Sequence, residues 1–146
     1  MAANSRAQIQ GAMSGNDVNL RDFEDCSADL LGKAKDNNGS CAIGPLSTPF
    51  DESFSLGDVR GATVTLDVCG EDGSDLHGER AMNQISRDPL DLVEQTMGAM
   101  HQYPDGAMLF LEALFTPPKV RDSLGTGFTH EQGDVSTLKS PLIVHS

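Results

Sequence analysis

The sequence predicts a mainly β domain with one principal helix, an α+β chain, and three features carry that expectation. Residues 62–68, ATVTLDV, alternate apolar and polar side chains, the period of a strand with one buried face. Residues 88–102, DPLDLVEQTMGAMHQ, place Leu90, Val93, Met97 and Met100 on one side of a helix. Elsewhere 15 Gly and 7 Pro in 146 residues divide the chain into short pieces.

Taken in order, residues 1–16 are small and polar, with a weak apolar pattern at Ile9 and Met13. Residues 22–40, rich in Asp, Gly, Lys and Asn, read mostly as loop. Cys41 to Ile43 is a short apolar piece closed by Gly44-Pro45, and STPFDESFSLGDVRG reads as a second loop. After strand 62–68, CGEDGS supplies turn chemistry, and Asp75 to Glu79 returns as the other arm of a hairpin. In the helix, Asp88 suits the N-cap and Pro89 the first helical position, while Pro104 forbids continuation. Its methionines read as core filler. AMLFLEALF, 107–115, is a buried strand or a short helix, with the flanking Asp105-Gly106 and Pro117-Pro118 favouring a strand. KVRDSLGTGFTHEQGD reads as a long loop. Val135 to Leu138 and Leu142 to Val144 read as a final strand pair or one bent strand.

A length of 146 residues argues for one domain, 1–146. The net charge is −12 and the pI about 4.4. A surface so acidic repels phosphate, which argues against nucleic acid and against an anionic membrane as partners. A cation, or a small molecule held with a cation, is compatible with this charge, while most of the 22 Asp and Glu read as solvated surface. Cys26, Cys41 and Cys69 form no CxxC pair, so a zinc site is not expected. The odd count fits a reducing compartment. The first residues carry no apolar stretch of signal-peptide length and no window reaches a membrane span, so a cytoplasmic location is the expectation.

Residues 15–35, GNDVNLRDFEDCSADLLGKAK, gather Asp17, Arg21 and Lys35. Read alone, Asp17 caps a turn, Arg21 joins a surface ion pair, Lys35 sits in a solvated loop and Gln84 satisfies backbone groups. His77, His101, His130 and His145 share no metal-ligand spacing and read as surface or core residues.

The motifs in order resemble the C-terminal catalytic domain of the fumarylacetoacetate hydrolase family. Asn16-Asp17-Val18-Asn19-Leu20-Arg21-Asp22 is similar to its N-D-x-x-x-R-D, followed by Lys35 and by Gly44-Pro45. VRGATVTLDVCGEDG, MNQISRDPLDLVEQ, HQYPDG and GFTHEQGDV are similar to later family segments, so the resemblance runs from about residue 8 to about 141. It implies a mixed β-roll or sandwich and a homodimer. It also implies Mg²⁺ or Mn²⁺ and hydrolysis, dehydration or C–C cleavage of a 2-oxo acid or acylpyruvate. Under it, Asp17 binds the ion and Arg21 orients substrate or carboxylates. Lys35 meets charge on the enolate, and Gln84 bonds a substrate oxygen. Family members place a Glu-x-Glu pair and a His- and Glu-bearing lid upstream. Only sixteen residues precede Asp17 here, none acidic, which implies a fold incomplete on that side. A single aspartate grips the ion weakly, so activity is expected to be impaired or to need another chain; the alternative is a silent, structural relative. The family's substrate-holding Gly-Thr falls at Glu112-Ala113, and SPLIVHS stops short of the family's last strand.

Overall fold

The computed structural model describes residues 1–24, 26–36, 38–111, 121, 128 and 130–143. Among them, short apolar segments form nine strands: β1 (Ala2–Ala3), β2 (Ile9–Ala12), β3 (Gly15–Asp17), β4 (Cys41–Ile43), β5 (Thr48–Pro49), β6 (Thr63–Cys69), β7 (Asp75–Ala81), β8 (Ala107–Met108) and β9 (Val135–Lys139). Four helices accompany them: α1 (Arg21–Glu24), α2 (Leu31–Lys35), α3 (Leu56–Gly61) and α4 (Pro89–Thr96). The strands pair antiparallel in three sheets, ordered β5-β2-β1-β8, β3-β4 and β7-β6-β9.

The alternation in 62–68 becomes β6, the centre of the third sheet. Leu66 and Val68 point into a small core with Leu76 and Phe128, and Leu138 packs on it. Val68 is fully buried, a burial worth about 1.5–3 kcal/mol. The hairpin to β7 closes through Gly73, whose φ of 82° only glycine adopts without strain. Asp72 accepts hydrogen bonds from Ser74 N at 3.0 Å and Ser74 Oγ at 2.7 Å, fixing the same turn. The cluster around Val68 is the second core along the chain; the first core joins Met1, Ala3, Ala12, Phe54, Val59 and Val93, with Phe50 edge-on to Phe54 at 5.5 Å.

Helix α4 starts as its sequence dictates. Asp88 Oδ1 accepts from Leu90 N at 2.9 Å, and Pro89 takes the first position. It is shorter than the apolar spacing suggests. Met97 leaves the helical conformation and Gly98 follows, bridging to His101. Val93 is buried and Met97 packs on the first core, but Leu90 and Met100 are exposed. Beyond Met97 no helical turn carries Met100 back to the core.

Two segments read as loop contain helices. The span 22–40 holds α1 and α2, joined by a 3-10 turn at Ala28–Leu30; at four and five residues they are too short to display a 3.6-residue period. The segment before Gly61 holds α3, where Asp58 Oδ2 reaches back to Ser55 N at 2.8 Å, half of a capping box. The stretch 107–115 enters the first sheet as β8, and its remainder from residue 112 lies outside the described residues. Of the last stretch, β9 forms, residues 141–143 turn, and Val144 lies outside the described residues.

Candidate functional site

Strand β3 ends at Asp17, placed by its pairing with β4, where Gly15, Asn16 and Asp17 face Ile43, Ala42 and Cys41. Val18 N continues the pairing with Ser40 O at 2.7 Å, and Leu20 N binds Ala34 O at 3.0 Å. The second bond ties the start of α1 to α2, whose last residue is Lys35. The Lys35 ammonium therefore reaches Asp17, donating to its backbone O at 3.0 Å and to Oδ2 at 2.9 Å. Both side chains keep access to solvent, Lys35 at 28% and Asp17 at 37% exposure.

Arg21 opens α1, and its Nη1 donates to Glu24 Oε2 at 2.9 Å. The same Oε2 accepts from Asn19 Nδ2. Glu24 thus fixes the Asn19 amide, since a carboxylate pairs with the NH₂ end and leaves Oδ1 on the other side. That Oδ1 is buried without a hydrogen-bond partner among the described residues, as is Ser140 Oγ.

These groups lie on the wall of one cavity of about 480 Å³. Asp17, Asn19, Arg21, Glu24 and Lys35 form its polar side. Leu66, Leu138 and Phe128 bring the apolar side from the second core, and Ser140 and His130 line it too. The volume suits a small ligand. Lys35 and Arg21 are the cations at hand for an anionic one. The sequence expectation thus finds Asp17, Arg21 and Lys35 on one wall. Gln84 does not line the cavity: it is the exposed last residue of a 3-10 turn, Met82–Gln84, after β7, whose buried Met82 does line it. Glu112-Ala113 lies outside the described residues.

Glu24 and His130 also line the cavity, and neither was assigned to the site from the sequence. Glu24 carried a local signal, since it follows Arg21 by three residues, the spacing at which helical ion pairs form. His130 carried none beyond its place in GFTHEQGDV, a segment similar to a late family loop. It comes to the cavity through a loop held by Arg121. The Arg121 side chain is 2% exposed, and donates from Nη1 to Asp134 Oδ2 at 2.6 Å and from Nη2 to Asp134 Oδ1 at 2.9 Å. Its Nε and Nη2 also reach Asp72 at 3.1 and 2.9 Å, and its guanidinium lies 5.5 Å over Phe128. A Cβ at Gly70 would strike Arg121, so glycine there lets the side chain in. Hydrogen bonds from Arg121 hold the Asp72 and Asp134 carboxyls well below the usual carboxylate range.

The donor set can be tested against a divalent ion. Magnesium takes oxygen ligands in near-octahedral geometry. Among the described residues no group of three or more His, Cys, Asp or Glu is placed to hold an ion. Asp17 offers one carboxylate, and Lys35 already occupies one of its oxygens. The described residues do not fit an ion by themselves.

No protein-family model and no curated protein matches the sequence. Solved structures do. The chain is similar to 2-keto-3-deoxy-D-arabinonate dehydratase complexed with magnesium and 2,5-dioxopentanoate, with a TM-score of 0.73 and 21% identity, over 97% of this chain and 47% of that one. It is similar also to the apo form of that dehydratase, with a TM-score of 0.71 and 23% identity over 97% and 46%. A hexagonal crystal form of 2-keto-3-deoxyarabinonate dehydratase gives 0.72 and 21% over 97% and 46%. The chain thus spans less than half the length of the structures it matches. Over nearly all of its own length it has the fold of this dehydratase, the fold implied by the resemblance to the fumarylacetoacetate hydrolase family.

Proposed function

We propose that the chain is a member of the fumarylacetoacetate hydrolase family whose cavity takes a small 2-oxo acid, the substrate of a dehydration or a hydrolytic C–C cleavage. One observation carries this reading. Asp17, Arg21 and Lys35, the motif residues, come together on one cavity wall in a fold shared with a dehydratase of such acids. The ammonium of Lys35 attracts the ligand's carboxylate and offsets charge that develops on its keto oxygen. Arg21, held by Glu24, adds positive potential, and the apolar wall lowers the local dielectric and strengthens both attractions. The reading includes a homodimer and a divalent ion, Mg²⁺ or Mn²⁺. At Asp17 that ion needs oxygen donors beyond those of the described residues.

A second reading is a silent relative that keeps the fold as a structural or dimerisation module. Among the described residues no cluster of carboxylates is placed to hold an ion, and Lys35 already takes one oxygen of Asp17, which favours it. Thermal unfolding separates the two. Under the first reading, millimolar oxalate or pyruvate with Mg²⁺ raises the unfolding midpoint. Ligand at about 100 times its Kd adds about 2.7 kcal/mol of stability. An unchanged midpoint with both acids, with and without Mg²⁺ or Mn²⁺, overturns the first reading and leaves the second.

A further inference from the structure

We propose that His130 is the proton acceptor of this cavity, removing the C3 proton of the bound 2-oxo acid. The inference rests on the 2-oxo acid reading above and adds to it a group that the motif does not contain.

The titratable groups on the cavity wall are not equally available. Lys35 donates to Asp17 twice. Asp17 is its partner, and Glu24 binds both Arg21 and Asn19. Each of these carboxylates is therefore committed to a donor. His130 differs. Its Nδ1 lies 3.8 Å from Asp134 Oδ2, and its Nε2 makes no hydrogen bond among the described residues. The ring meets Phe128 edge to face at 6.0 Å.

The carboxylate nearest the ring is itself fixed. Asp134 is 4% exposed and receives two bonds from Arg121 and one from Glu131 N at 2.9 Å. Glu131 stands 3.9 Å from Arg121 at the edge of this group. The carboxylate therefore cannot swing away from Nδ1. At 3.8 Å it is too far from Nδ1 for a hydrogen bond, and acts through its negative charge, which favours a proton on Nδ1 and the lone pair on Nε2. Burial pushes the imidazole below its ordinary pKa, with Arg121 adding to the shift and Asp134 opposing it, so the ring is neutral near pH 7. A neutral ring can accept a proton.

The step balances without another reactant. The C3–H bond breaks and an Nε2–H bond forms. The electron pair moves into C2–C3 and the keto oxygen takes the negative charge. The resulting imidazolium faces Asp134, which stabilises it, and can return the proton to carbon or pass it to a departing hydroxyl.

The test is deuterium exchange into the methyl group of pyruvate, followed by proton NMR in deuterated buffer with Mg²⁺, with oxalate affinity measured by calorimetry on the same samples. The native protein is expected to accelerate exchange above buffer. His130→Gln is expected to lose at least about tenfold of that rate, with oxalate affinity unchanged. His130→Ala is expected to regain exchange when imidazole is added, which a misfolded variant would not do. Exchange in His130→Gln at the native rate overturns the proposal, as does a native protein that binds oxalate without accelerating exchange; in both cases the 2-oxo acid reading stands. If oxalate does not bind at all, that reading falls and the proposal with it.

Discussion

Replacing Lys35 with methionine removes the ligand-induced rise in unfolding midpoint and weakens oxalate binding by about 10- to 100-fold. That range is the worth of a charge-assisted hydrogen bond of about 1.5–3 kcal/mol. The loss appears in binding and not in the fold. Lys35 and Asp17 both remain partly solvated, and an exposed ion pair contributes about 0–1 kcal/mol to stability. Lys35→Arg keeps the charge but not its compact shape, and is expected to restore binding only in part. Affinity in Lys35→Met within twofold of native would remove Lys35 from the recognition of the acid.

Replacing Arg121 with methionine is expected to cause the largest loss of stability of any single change outside the apolar cores. Arg121 joins three elements: the β6–β7 turn through Asp72, the loop before β9 through Asp134, and the second core through Phe128. Its removal leaves Asp134 buried without its cation, which costs more than the pair itself contributes. The pH dependence follows from the same bonds. The folded pKa values of Asp72 and Asp134 lie below the unfolded value of about 3.9. Their contribution is fully present above that value and is lost as pH falls toward the folded values. Urea unfolding midpoints between pH 7 and pH 2 are expected to drop on the acid side in the native protein. In Arg121→Met the midpoint is lower at pH 7 and the acid-side drop is smaller. Equal midpoints for the two proteins at pH 7 would show that Arg121 does not join these elements.

Much of this was legible where short-range physics decides. The β6–β7 hairpin follows from alternation and turn residues, and the start of α4 from Asp88-Pro89. The trio Asp17, Arg21 and Lys35 follows from one motif and a lysine fourteen residues beyond Arg21. The rest depends on long-range packing. Helices α1 and α2 are single turns held by tertiary contacts, so no period marks them. Leu90 and Met100 share the spacing of Val93 but not its burial, because the chain leaves the helix at Met97. His130 reaches the cavity only because Arg121 clamps Asp134 and the β6–β7 turn together, a contact spanning 49 residues to Asp72. Gln84, chosen by motif, is exposed at the end of a turn that gives Met82, not Gln84, to the cavity wall.

The most direct measurement is a nitrogen–proton NMR titration of the folded protein with pyruvate and Mg²⁺. Val18, Asn19 and His130 are expected to shift together and saturate at one affinity, with the Lys35 ammonium following, while His77 and Lys139 on the third sheet stay still. Shifts confined to His77 and Lys139, or none at saturating acid, would contradict a 2-oxo acid site at Asp17 and Lys35.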